Sequence, residues 1–217
     1  MTAIFAPDAS FQPRPGLCWG TRSNLNDLLG FLQAEKLEGR HVFSLASEDG
    51  FGVCTTKGYG IDQVFFSDCP SMVKFLKTTN RDFAISAVAS FGFGFFFVLT
   101  EGLKKYAGKK QLITIRRGWR SVEEAIDKGW DMGAIITELC YCKKTGLYVL
   151  VMTESTANQG YGWNLTNESY NDNFDEGFHP TLVLHHPTNN SILTVTTTDE
   201  NRSGYTIRPR HPIQAWC

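Results

Sequence analysis

The chain has 217 residues, 42% hydrophobic and 20% charged, enough to bury a core without disulfide or metal support. Its net charge of −1 gives the whole molecule no field with which to gather nucleic acid or anionic lipid, and MTAIFAPDASFQPRPG at the start lacks the basic-then-apolar pattern of a signal peptide. Six cysteines, at 18, 54, 69, 140, 142 and 217, are too sparse for a disulfide scaffold; a reduced intracellular setting is expected, cytoplasmic or, for a processed chain, organellar, despite four N-x-[ST] sequons.

Residues 1–22 read as an extended N-terminal arm. NLNDLLGFLQAEKLEG (24–39) places Leu25, Leu28, Leu29 and Leu32 at helical spacing. RHVFSLASED (40–49), FGVCTTKG (51–58) and DQVFF (62–66) follow as strands. CPSMVKFLKTTN (69–80) is a second helix, admitting Pro70 in its first turn and burying Met72, Phe75 and Leu76. RDFAISAVAS (81–90), FGFGFFFVLTEG (91–102) and KQLITI (110–115) are again strands. In SVEEAIDKGW (121–130), Ser121 and Glu124 match a capping box, Val122, Ala125, Ile126 and Trp130 line one face, and Gly129 is a candidate stop. GAIITELCYC (133–142), TGLYVLVMTES (145–155) and NQGYGW (158–163) follow. ESYNDNFDEG (168–177) carries at most one polar helical turn, before GFHPTLVLHH (177–186), NNSILTVTTTDE (189–200) and SGYTIR (203–208); residues 209–217 are a tail.

Helix–strand–strand–strand therefore recurs, in units spanning 23–67, 68–117, 118–164 and 165–208. Thirteen residues separate Gly39, Arg81, Gly133 and Gly177 from the turn positions Gly52, Gly94, Gly146 and Asn190, and Gln63, Gln111 and Gln159 open third strands. One helix cannot cover three strands, so the units must pack together. The expected fold is α+β: four helix-plus-three-strand pseudo-repeats, mostly antiparallel, in one propeller-like or pseudo-symmetric domain over residues 23–208.

Phe83 to Thr100 is an uncharged run of eighteen residues, at the lower limit for a membrane helix. The aligned positions elsewhere are polar turns, Asp49-Gly50, Lys143-Lys144-Thr145 and Asn189-Asn190, so the run reads as two strands bent at Gly92 or Gly94. Phe95 and Phe97 then share one face and Phe96 the other, which demands two apolar covers. These three residues are the candidate assembly surface, with a second copy of the chain as one cover.

Chemical constellations are weak. His179, His185 and His186 have no ligand-like neighbours, Cys140 and Cys142 read as small strand hydrophobes, and Glu123, Glu124, Asp127 and Asp131 read as a solvated helix face. No catalytic residue, metal site or cofactor site is assigned. The exception in charge is Lys104, Lys105, Lys109, Lys110, Arg116, Arg117 and Arg120, with no acid among them: a patch that could bind phosphate or nucleic acid, or merely keep an apolar neighbour soluble.

IDKGWDMGAIITELCYCKKTGLYVLVMTESTANQGYGW resembles the repeats at the C-terminal region of plant casein-kinase-1-like kinases, which also occur in microbial proteins of unknown function. The match rests on Trp130, Gly133, Ile136, Thr137, Val151, Met152, Thr153 and Gln159, with Ile85, Ser86, Gln111 and Gln63 in the earlier units. The resemblance implies a non-catalytic accessory or interaction module and carries no catalytic residues over. The expected function is accordingly a structural or protein-interaction module, self-assembling as scaffold, shell or lattice, or docking a protein partner. The alternatives are a phosphorylated or nucleic-acid ligand on the 104–120 patch, and an enzyme with a site between repeats.

Overall fold

The computed structural model describes residues 18–47, 50–57, 61–102, 108–154, 161–166, 178–185 and 192–198. Three helices and twelve strands occur among them, and every strand pair is antiparallel. The order is β1 (Cys18–Arg22), α1 (Leu25–Leu37), β2 (Arg40–Ser47), β3 (Phe51–Lys57), β4 (Gln63–Phe66), α2 (Cys69–Thr78), β5 (Phe83–Phe91) and β6 (Gly94–Glu101). Then come β7 (Gln111–Arg117), α3 (Trp119–Asp131), β8 (Ala134–Cys142), β9 (Leu147–Glu154), β10 (Tyr161–Thr166), β11 (Phe178–His185) and β12 (Ile192–Thr198).

The strands form four three-stranded sheets of one order: β1-β3-β2, β4-β6-β5, β7-β9-β8 and β10-β12-β11. This corrects the phase of the expected unit. The strand at 63–66 does not close the first unit but opens the second sheet, beside β6. Likewise Cys18–Arg22, read as part of an extended arm, is the outer strand of the first sheet. In the first three sheets the unit is strand–helix–strand–strand. The possible helical turn at 168–177 and the tail at 209–217 lie outside the described residues.

Each hairpin carries the same irregularity. Register shifts between Val42 and Ser44, Ile85 and Ala87, Ile136 and Glu138, and Pro180 and Leu182. One extra residue at each point is a β-bulge, which bends the strand and increases its twist. This, rather than the constant spacing of thirteen, is the structural mark of the repeat. Gly52 lies inside β3, Gly94 begins β6 and Gly146 sits in a turn with φ 67°, while Asn190 falls outside the described residues.

Local chemistry explains the helix starts. The Asn24 side chain accepts from Asp27 N at 3.0 Å, and Asp68 Oδ1 from Ser71 N at 2.7 Å, each satisfying one orphan donor of a first turn. The capping box expected at Ser121 is not formed. The third helix begins earlier, with Gly118 as N-cap, and Ser121 Oγ donates to the Arg117 and Gly118 carbonyls. Trp119 draws that turn inward: its ring lies 5.8 Å from Tyr148 and its Nε1 donates to Glu123 at 2.8 Å. Gly129 is no stop either. It is buried inside α3, where a Cβ would come within 2.5 Å of Met152 Cε.

Three apolar layers follow one rule. Leu28 and Leu32 of α1 join Val42, Leu45, Phe51 and Val53 of their own sheet and Ala87, Ala89, Phe96 and Val98 of the next. Met72 of α2 joins Ile85, Val88, Phe95, Phe97 and Leu99, and then Cys140, Cys142, Val149 and Val151 of the third sheet. Val122 and Ile126 of α3 cover Ile136, Leu139, Tyr148, Leu150 and Met152. The second sheet is thus sandwiched between two cores, which is why its strands are apolar on both faces. The uncharged run is β5 and β6, reversed at Gly92-Phe93 with Gly92 at φ 49°. No helix among the described residues is long and apolar enough to cross a membrane.

Candidate functional site

The aromatic residues expected at an assembly surface are inside the protein. Phe95, Phe96 and Phe97 are 7%, 1% and 0% exposed, and Phe96 stacks on Phe65 at 5.9 Å. Both covers come from the same chain, through the first and third sheets. Exposed instead is Phe93, 77% accessible at the tip of the β5–β6 turn, with Lys144 Nζ 5.5 Å from its ring centre.

Where adjacent sheets meet, at the β2, β5 and β8 edges, the seams are polar. Gln63 accepts from Val42 N at 2.7 Å, donates to Val42 O at 3.0 Å and donates to Thr100 Oγ1 at 2.7 Å. Gln111 repeats this on the next pair of sheets, with Ile85 N at 2.7 Å, Ile85 O at 3.1 Å and Thr153 Oγ1 at 3.1 Å. Ser86 and Thr137, the bulge residues, close the networks on Thr100 and Thr153 at 2.7 and 2.9 Å. Each glutamine satisfies the backbone amide and carbonyl just before the bulge, groups that cannot be left unpaired in a buried seam. Gln63 and Gln111 stood out in the sequence only as register marks; Gln159 lies outside the described residues.

A small cleft opens between α1 and the first seam. Thr55 Oγ1 donates to Glu35 Oε2, and Arg40 Nε lies 3.7 Å from the same oxygen. His41 Nδ1 is buried nearby with no hydrogen-bond partner among the described residues, and burial holds its imidazole below the usual histidine range. The interior, lined also by Gln63 and Phe65, is about 10 Å³, room for one water. None of Glu35, Arg40, His41 or Thr55 had a sequence signal, since each fits an ordinary helix or strand position.

The basic residues are not brought into one patch. Lys109 and Lys110 precede β7, whereas Arg116 and Arg117 end it, about 20 Å along the strand. Arg120 is exposed on α3 and pairs with Glu124 at 3.8 Å. Lys104 and Lys105 lie outside the described residues. Of the other candidates, Cys140 and Cys142 are buried free thiols, and burial pushes Cys140 up to about 12 against an opposing hydrogen bond from Ser90. His179 and His185 fall on β11, and their side chains, with His186, lie outside the described residues. Glu124, Asp127 and Asp131 are exposed as expected, while Glu123 is half-buried under Trp119.

The described residues define a mixed protein of α-helices and antiparallel sheets, without a closed barrel. Against protein-family models, curated proteins and solved structures, the chain finds no match.

Proposed function

We propose that the chain is a non-catalytic structural or protein-interaction module, which pairs with itself or a protein partner through the outer strand edges of its sheets. The observation that carries this reading is the position of β1, β4, β7 and β10: among the described residues each is hydrogen-bonded to a strand on one side only, while the opposite edges, β2, β5 and β8, lie against one another. β7 is the longest of these outer edges, seven residues from Gln111 to Arg117 without proline, and an unpaired row of N–H and C=O groups is a template for strand addition. Mass measured across a concentration series tests it. Mass should rise with concentration, and amide exchange along β7 should slow in the assembled state. A single monomer mass throughout, with β7 exchange unchanged, removes the self-assembly reading.

The same proposal sets the four sheets as blades of a propeller-like ring. Ser44, Ala46 and Gly52 are half-buried and Cys54 is 5% exposed, on the face of the first sheet that corresponds to the covered faces of the second and third. This supports a fourth sheet lying against it. Spin labels at Lys57, Glu101 and Thr198, which sit at matching strand ends, distinguish the arrangements. A ring makes the 57–198 distance match the 57–101 distance; an open fan makes it much longer.

A further inference from the structure

The end of the third sheet gathers charge that the sequence keeps apart. Arg117 pairs with Leu147, and Leu147 pairs with Cys142, so the turn holding Lys143 and Lys144 stands beside the end of β7. Arg116, Arg117, Lys143 and Lys144 are all exposed, and none makes an ion pair among the described residues. At the opposite rim Arg81 binds Glu101 and, at 3.0 Å, Asp62, which also holds Lys36 at 3.3 Å. Phe93 reaches this rim from the second sheet, its ring held beside Lys144. The two hairpin tips are fixed to each other, with Cys142 Sγ 3.6 Å from Gly92 O.

We infer that Phe93, Arg116, Arg117, Lys143 and Lys144 form a docking surface for single-stranded nucleic acid. Four cations without ion pairs among the described residues supply phosphate contacts, and an exposed ring on a tight hairpin turn supplies a platform for one base. An acidic protein segment would use the cations but leaves the ring, 77% exposed, without a role. The surface differs from the sequence patch: it takes in Lys143, Lys144 and Phe93 and leaves out Lys109 and Lys110.

The probe is a labelled fifteen-nucleotide oligo(dT), with binding to the full chain read by fluorescence anisotropy. Four phosphate contacts at a slope of about −0.7 each predict roughly a fifty-fold loss of affinity between 50 and 200 mM salt. Phe93→Ala should weaken binding about tenfold without changing that slope, because stacking is not ionic. Arg117→Gln and Lys143→Gln should each flatten the slope by about 0.7, and Lys109→Gln should do neither. Phe93, Arg117 and Lys143 are exposed and Lys109 is half-buried, and a melting curve for each variant confirms that it folds. No binding at 50 mM salt overturns the inference. So does an equal effect of Lys109→Gln, or poly-glutamate competing as well as unlabelled oligo(dT), which would assign the surface to an acidic protein instead.

Discussion

Replacing Gln63 by alanine should loosen the seam between the first two sheets. Gln63 is 5% exposed and makes three hydrogen bonds, two of them to the backbone of Val42, itself 4% exposed. Alanine leaves the Val42 amide and carbonyl unpaired, while Thr100 retains Ser86 as a partner. Each orphaned group costs about 1–3 kcal/mol, so the loss should be about 2–6 kcal/mol. In a protein of this size that lowers the melting temperature by about 4–24 °C, readable by calorimetry or circular dichroism. Gln111→Ala should cost less, because Gln111 is only half-buried. Gln63→Glu adds a pH test. A protonated glutamic acid keeps one donor and one acceptor for Val42, whereas the carboxylate faces the Val42 carbonyl with no proton. Burial raises the folded-state pKa of that carboxyl, so its contribution is present below the unfolded value of about 4.3 and is lost as pH rises. A melting temperature for Gln63→Ala within about 2 °C of the parent would refute the reasoning and leave the seam to its apolar layers alone.

Gly30→Ala should stabilise the protein by about 1 kcal/mol, because Gly30 lies inside α1 with no atom within 4 Å of the added Cβ; an unchanged or lower melting temperature would count against that placement. Cys140 should resist alkylation at pH 8 in the native protein and react in urea, since a thiol near 12 has about a thousandfold fewer thiolates than one near 9; rapid native labelling would contradict its burial. Stability should fall as pH drops below about 6.5, because the depressed His41 must take up a proton on unfolding, and His41→Phe should remove that part of the acid sensitivity in denaturant titrations.

Periodicity was the legible part of the sequence. The spacing of Val122, Ile126 and Trp130 defined a helix on which Val122 and Ile126 are fully buried, and the uncharged run resolved into a hairpin at Gly92. Phase was not legible. Gln63 to Phe66 alternates in the same way whichever hairpin it joins, and only the three-dimensional pairing with β6 decides between them. The phenylalanine run showed that two covers were needed but not whose, because a neighbouring sheet and a second molecule make the same demand on Phe96. The charged rim was hidden for a related reason. Lys143 and Lys144 stand far from Arg117 in the chain and beside it only once β8, β9 and β7 share a sheet.

The glutamine hook has a direction. It reaches back from the first strand of one sheet to the amide and carbonyl just before the bulge in the preceding sheet, at Val42 and then at Ile85. In β11 the residue at that register is Pro180. Proline has no amide hydrogen, so the last sheet offers a hook nothing to donate. At that bulge a glutamine could still donate to the carbonyl but would find no amide hydrogen to accept. Duplication of a unit between β4 and β9 would find its catch ready made, whereas a unit added after β12 would not.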